Sequence, residues 1–162
     1  MIHDAIAAAL PELRAHAESL MVDSCTITRR RLDEDGEPVR EMDPATLELT
    51  DAWDEVYAGR CRVQRPGVVM VGREPVVGGV EYNVETVHVQ VPLAALGLKA
   101  DDRVTITAVN GIDDYEALRA AFLANPLEGS DPDSLGMVLS VRVNQHKTHA
   151  TKRTLVCEEV TS

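Results

Sequence analysis

His146 and His149 stand three residues apart. Two imidazoles at that spacing can share a metal ion if the backbone turns and a further ligand joins them; His88 and Cys157 are the available third donors. No glutamate lies between the pair and the HExxH arrangement is missing, so the simpler expectation is two loop histidines facing solvent. Cys25, Cys61 and Cys157 are widely spaced with no CxxC, which argues against a disulfide framework or a zinc knuckle. Cys25 follows the C-terminal end of a helical pattern, where the negative end of the helix dipole raises a thiol pKa and dulls a nucleophile. All three cysteines therefore read as small buried hydrophobes in a reducing compartment. Gly67, Gly72, Gly78 and Gly79 form neither GxGxxG nor GxxxxGK[ST], and no GxSxG elbow is present. Asp33-Glu34-Asp35-Gly36 breaks the pattern of a calcium loop. Asp51 with Asp54, and Asp101 with Asp102, read as solvated loop charges. The residues thus predict a protein that is not an enzyme, with no catalytic residues, no metal and no cofactor.

The balance of charge points the same way. The chain has 162 residues with 27 acids against 16 Lys and Arg, a net charge of −11. A protein that grips nucleic acid usually carries a basic footprint, and an acidic membrane surface repels such a chain. Neither argument forbids proximity to DNA in a channel that should not hold what passes. No apolar run reaches the length of a membrane span, and the opening Met1-Ile2-His3-Asp4 lacks the basic start of a signal peptide. Hydrophobic residues make up 44% of the chain and only five residues are aromatic, so a core must be built from Val, Leu, Ile and Ala, and stacking platforms for bases are scarce.

Periodicity supplies the elements. Ile6, Leu10, Leu13, Ala17 and Leu20 recur at three- and four-residue steps and predict a helix over about 9–21, with residues 3–8 as an added turn and Pro11 at its first turn or a kink. Cys25 to Arg29 alternates as a strand with Cys25 and Ile27 inward. Arg29-Arg30-Arg31 then meets the acids of 33–37 in a solvated ion cluster, with a turn at Asp35-Gly36. Residues 38–52 read as a long loop with a short strand at 47–50. Gly59 reads as a turn or bulge between Trp53–Tyr57 and the strand Arg60–Arg65, which places Cys61 and Val63 on one face. Val80, Tyr82 and Val84 share one parity and Val87, Val89 and Val91 the other, which predicts a bulge near Glu85-Thr86. Further strands are expected at 103–109, with Val104, Ile106 and Ala108 inward, at 137–144 and at 153–160; the last two form a hairpin. Tyr115, Leu118, Ala121 and Phe122 predict an inserted helix over about 114–124 capped by Asp113 or Asp114. The sum is one domain, mainly β with α additions. It is a small antiparallel β-barrel or sandwich over about 23–160 with a packed N-terminal helix at about 3–21.

Three loops, at 30–52, 66–79 and 126–136, are long for a compact domain. The second is apolar and glycine-flanked. Val68, Val69, Met70, Val71, Gly72, Val76 and Val77 make it a candidate gate or subunit-docking loop, with a core hairpin as the alternative.

Several patches carry a family resemblance. They are Leu10-Pro11-Glu12-Leu13-Arg14 through Leu20-Met21, Asp23 to Arg29, and Val56-Tyr57-Ala58-Gly59-Arg60-Cys61-Arg62-Val63-Gln64, together with Asp102 to Ile106 and Arg153 to Val160. In these stretches the chain resembles the small head-to-tail connector proteins of tailed bacteriophages, above all those of actinobacterial phages and prophages. The resemblance implies a structural protein of the virion neck, made in the host cytoplasm. It implies a homo-oligomeric ring, a hexamer first and a dodecamer otherwise, that joins the portal and adaptor ring to tail-terminator or tail-tube proteins. Such a ring acts as a stopper that closes the DNA channel and opens at genome ejection. An adaptor or tail-terminator ring, or a cytoplasmic binding module for a protein or small molecule, are the alternatives. An acidic channel wall would repel the packaged DNA and let it slide.

Overall fold

The computed structural model describes residues 2–65, 86–126, 131–145 and 150–160. Helix α1 runs from Ile2 to Ser19 and passes through Pro11; the proline lacks the N–H that would bond to the Ala7 carbonyl. The helix thus includes the added N-terminal turn and stops two residues short of the expected end, where Met21 N donates to the Glu18 carbonyl. Strand β1 (Asp23–Arg30) follows, then the short strands β2 (Arg40–Met42) and β3 (Leu49–Asp51), and the long β4 (Trp53–Gln64). Next come β5 (Thr86–Val91), β6 (Arg103–Ala108), helix α2 (Tyr115–Ala124), a 3-10 turn at Pro132–Ser134, β7 (Val138–Gln145) and β8 (Arg153–Glu159).

Six of these strands close into an antiparallel barrel in the order β1-β4-β5-β8-β7-β6, with β6 returning to β1. Of the two expected alternatives, the chain is the barrel. Alternation supplies its interior: Cys25 and Ile27, Cys61, Val87, Val89 and Val91, Val104 and Ile106, Leu139 and Val141, Leu155 and Cys157 are all buried. These side chains are small or medium in size, as a six-stranded bore requires. Ala95 and Leu98, which follow β5, extend the core at one end. Val109, Leu118 and Met137 extend it at the other. Register shifts coil the wall where β1 meets β4 at Ile27/Thr28, where β1 meets β6 at Ser24/Cys25, and where β7 meets β8 at Val141/Val143. The last shift turns Val143 outward.

Several expectations are corrected. Gly59 makes neither a turn nor a bulge. It lies in mid-strand opposite Cys25, and the extra residue of β4 is Val56, skipped between the pairs Ile27–Tyr57 and Thr28–Glu55. Glycine is needed there because Tyr57 folds back over it to donate to the Arg60 carbonyl at 2.8 Å; an added Cβ would stand 2.9 Å from the phenol oxygen. Residues 38–52 are not a loop. Together with 31–37 they form a projecting arm in which β2 and β3 pair as a hairpin. The root of the arm is closed on itself by Arg31 N to the Ala52 carbonyl, Val39 N to the Arg31 carbonyl and Ala52 N to the Val39 carbonyl. The turn at Asp35-Gly36 is present, with the Asp33 carboxylate accepting from the backbone of Asp35 and Glu37. Asp33 is thereby occupied in its own turn, and no ion pair among the described residues joins the arginine run to the acids of 33–37. Arg29 pairs with Asp102, Arg30 with Asp51, and Arg31 with Asp54 and Glu41.

Asp102 is not a solvated loop charge. Its side chain is 1% exposed and is held by Arg29 through Nε at 2.7 Å and Nη2 at 2.8 Å, and by the backbone N–H of Lys99 at 2.7 Å. Its neighbour Asp101 takes the positive φ that the turn needs and stays exposed. α2 begins at Tyr115 with Asp114 as its cap, as expected, but of its apolar face only Leu118 is buried. The loop 126–136 contains the 3-10 turn, whose Pro132 and Ser134 are buried. The expected bulge near Glu85 and the face Val80, Tyr82 and Val84 lie outside the described residues.

The Arg29–Asp102 pair yields a first prediction. Arg29→Met strands a buried carboxylate and should cost about 2–3 kcal/mol in urea unfolding; the usual 3–5 for a broken buried pair is discounted because a third of the arginine is in water. The double variant Arg29→Met/Asp102→Asn should recover at least half of that loss, since no uncompensated charge remains.

Candidate interaction surfaces

The residues with chemically capable side chains divide into buried and exposed sets. The three cysteines are free thiols inside the barrel. Cys25 and Cys61 lie diagonally across the β1–β4 ladder, Cys25 opposite Gly59 and Cys61 opposite Asp23. A hydrogen bond between the two thiols and burial push the Cys61 pKa far up, and burial pushes Cys157 up to about 12. Groups that resist forming thiolate at neutral pH are neither nucleophiles nor ready metal ligands. Among the described residues no group of three or more His, Cys, Asp or Glu is placed to hold a metal ion. His146 and His149 lie outside the described residues, as does the candidate gate from Val68 to Val77. His88 is on the outward parity of β5, opposite Gln64 and Val156, so it does not share the barrel interior with Cys157.

A cavity of about 230 Å³ opens where β1 begins, lined by Asp23, Val63, Arg65, Val109, Asp131 and Ser134. Its charged groups already have partners. One oxygen of the buried Asp23 carboxylate accepts from Val63 N at 3.1 Å and the other from Asn110 N at 2.9 Å, and Arg65 faces Asp131 at 3.6 Å. Asp23 thus stitches β1 to β4 and to the Asn110-Gly111 turn, where both residues have positive φ. In the sequence alone Asp23 marks only the end of the helical pattern. Its place one alternation before Cys25 and Ile27, on the inward parity of β1, is the signal that points to its burial.

The outer surface offers more. On the arm, Met42, Leu47 and Leu49 are 60%, 72% and 63% exposed. Side-chain contacts run along the arm that carries them and its root. Arg31 reaches both Asp54 and Glu41, Arg30 and Arg40 both reach Asp51, and Trp53 lies under Arg103 at 3.9 Å and Arg30 at 5.3 Å. Stacked guanidinium groups over an indole add about 0.5–1 kcal/mol at exposed sites. Helix α1 also presents apolar residues to solvent. Leu13 is 51% exposed, and Ile6 and Leu20 are exposed as well, so the stripe that predicts a packed helix is not covered by its own barrel. Val22, just after it, is exposed too. A single apolar side chain in water needs no explanation; here they stand in two groups, one on the arm and one along α1 and just after it.

Fold and surfaces together define a small closed antiparallel β-barrel with two helical additions and a projecting arm. The chain matches the model of a family of unknown function, DUF6093, over residues 13–158, nearly its whole length, and belongs to that family. No curated protein and no solved structure matches it.

The buried groups lead to two measurements. A thiol reagent such as dithionitrobenzoate should find no reactive cysteine in the native protein and three after unfolding in guanidinium. Tyr57, raised from 10 to about 12 chiefly by burial, is kept neutral by the fold. Its contribution to stability is complete below pH 10 and is lost as pH climbs through 12. Absorbance at 295 nm should therefore show a tyrosinate transition near pH 12 that Tyr57→Phe abolishes.

Proposed function

We propose that this protein is a structural ring component of the tailed-phage virion neck, seated between the portal–adaptor complex and the tail and acting as a stopper of the DNA channel. The observation that carries the reading is a closed barrel bearing two exposed apolar surfaces on ordered elements, the arm and α1. A subunit that works by touching its neighbours needs such surfaces. The resemblance of its sequence patches to head-to-tail connectors supports the same role, and the inert interior gives no support to a catalytic one. The net charge of −11 suits a wall that DNA slides past rather than adheres to. Adaptor and tail-terminator rings are built on the same requirements, and stoichiometry separates a stopper-like from an adaptor-like ring.

Native mass spectrometry of the purified protein, alone and after addition of isolated portal–adaptor complex, tests the proposal. The expected result is the gain of six copies, or of twelve for an adaptor. A chain that stays monomeric and ignores the complex would overturn it, and would turn attention to the cavity beside Asp23 as a ligand site.

A further inference from the structure

The net charge is not spread evenly. Residues 33–51 of the arm hold eight acids and one base, a net −7 of the chain's −11. The exposed Met42, Leu47 and Leu49 stand among these acids. The arm leaves the barrel at the C-terminal end of β1.

At the N-terminal end of the same strand lies a surface of opposite character. Leu20 and Val22 are exposed where α1 passes into β1. Asp23 pairs with Cys61 and Ser24 with Arg60, so this apolar shoulder runs beside the outward row of β4, which carries Arg60 and Arg62. Arg60 is exposed and Arg62 half-exposed, and neither forms an ion pair among the described residues. The arm beyond one end of β1 is therefore acidic with exposed apolar residues, and the shoulder at the other end sets Arg60 and Arg62 beside Leu20 and Val22.

We propose that the acidic arm of one copy docks on the basic shoulder of a second copy of this chain. The inference rests on the ring reading above and names the contact that would build the ring. Two observations select a second copy as the occupant. The surfaces match in charge and both are apolar, and the eight residues of β1, about 26 Å of extended strand, keep the two ends of one chain apart. A contact between two different patches is head-to-tail. It repeats from copy to copy and closes into a ring when the rotation per copy divides the circle. The shoulder contact buries no charge deeply, so the acid–base match acts mainly on partner choice and register.

Charge reversal tests this. The arm variant Glu34→Arg/Glu48→Arg alters two exposed carboxylates that hold no turn or ion pair among the described residues; the shoulder variant is Arg60→Glu/Arg62→Glu. Assembly is read by native mass spectrometry and sedimentation velocity, with and without portal–adaptor complex, and folding by circular dichroism and thermal melting. Each variant alone should lose assembly about tenfold or more, and the chain carrying all four reversals should regain it. If wild-type protein assembles and the folded arm variant assembles equally well, the interface is wrong while the ring reading stands. The interface is equally wrong if the folded four-fold variant fails to regain assembly. If wild-type protein assembles under neither condition, the ring reading falls and this contact with it.

Discussion

The buried ion pair of Asp102 with Arg29 ties one rim of the barrel together. Asp102 receives two hydrogen bonds from Arg29 near the end of β1 and one from the backbone of Lys99, while the same guanidinium donates to the Gly97 carbonyl at 2.6 Å. Its own carbonyl accepts from Val141 N in β7, and Asp101 N returns a bond to the Val141 carbonyl. A carboxylate taken out of water must be met by charge and by donors on every side, or it costs several kcal/mol. That requirement draws β1, the turn at 97–102, β6 and β7 to one rim of the barrel. The end of β1 is thereby set, and from it the arm takes its direction.

The opposite rim is organised by a second buried carboxylate with a different partner set. Asp23 has backbone donors in place of an arginine, accepting from Val63 and Asn110. β1 thus begins and ends at an acidic anchor, with Cys25 and Ile27 as its inward residues between them. The bore is lined by Val, Leu, Ile and thiols. On the exterior, the arm and α1 carry apolar side chains into water.

Much of this is legible in the sequence because it rests on local rules. Alternation at Cys25 and Ile27, at Val87, Val89 and Val91, and at Val104 and Ile106 gives the inward faces of three strands. Asp114 and the three- and four-residue steps after it place α2 within a residue of its bounds. Local rules fail where a residue's role depends on what lies across the barrel. Gly59 reads as a punctuation mark because its covering phenol ring, Tyr57, has no signature beyond being two residues away. The arginine run stands beside the acids of 33–37 in sequence, but its partners are Asp102, Asp51, Asp54 and Glu41. The apolar stripe of α1 suggests packing because periodicity reports that a face exists, not what covers it.

The sequence by itself therefore determined most of the barrel strands, both helices and the apolar parity of the wall. These follow from spacing and from side-chain chemistry along the chain. Only the tertiary structure decided that the sheet closes on itself, that β4 runs unbroken through Gly59, that Asp102 and Asp23 are buried anchors while Asp101 is exposed, and that residues 31–52 stand out as an arm. Closure depends on register shifts between strands distant in sequence. The burial of a charge depends on whether a donor such as Arg29 arrives from seventy-three residues away. Neither distance is written in any local pattern.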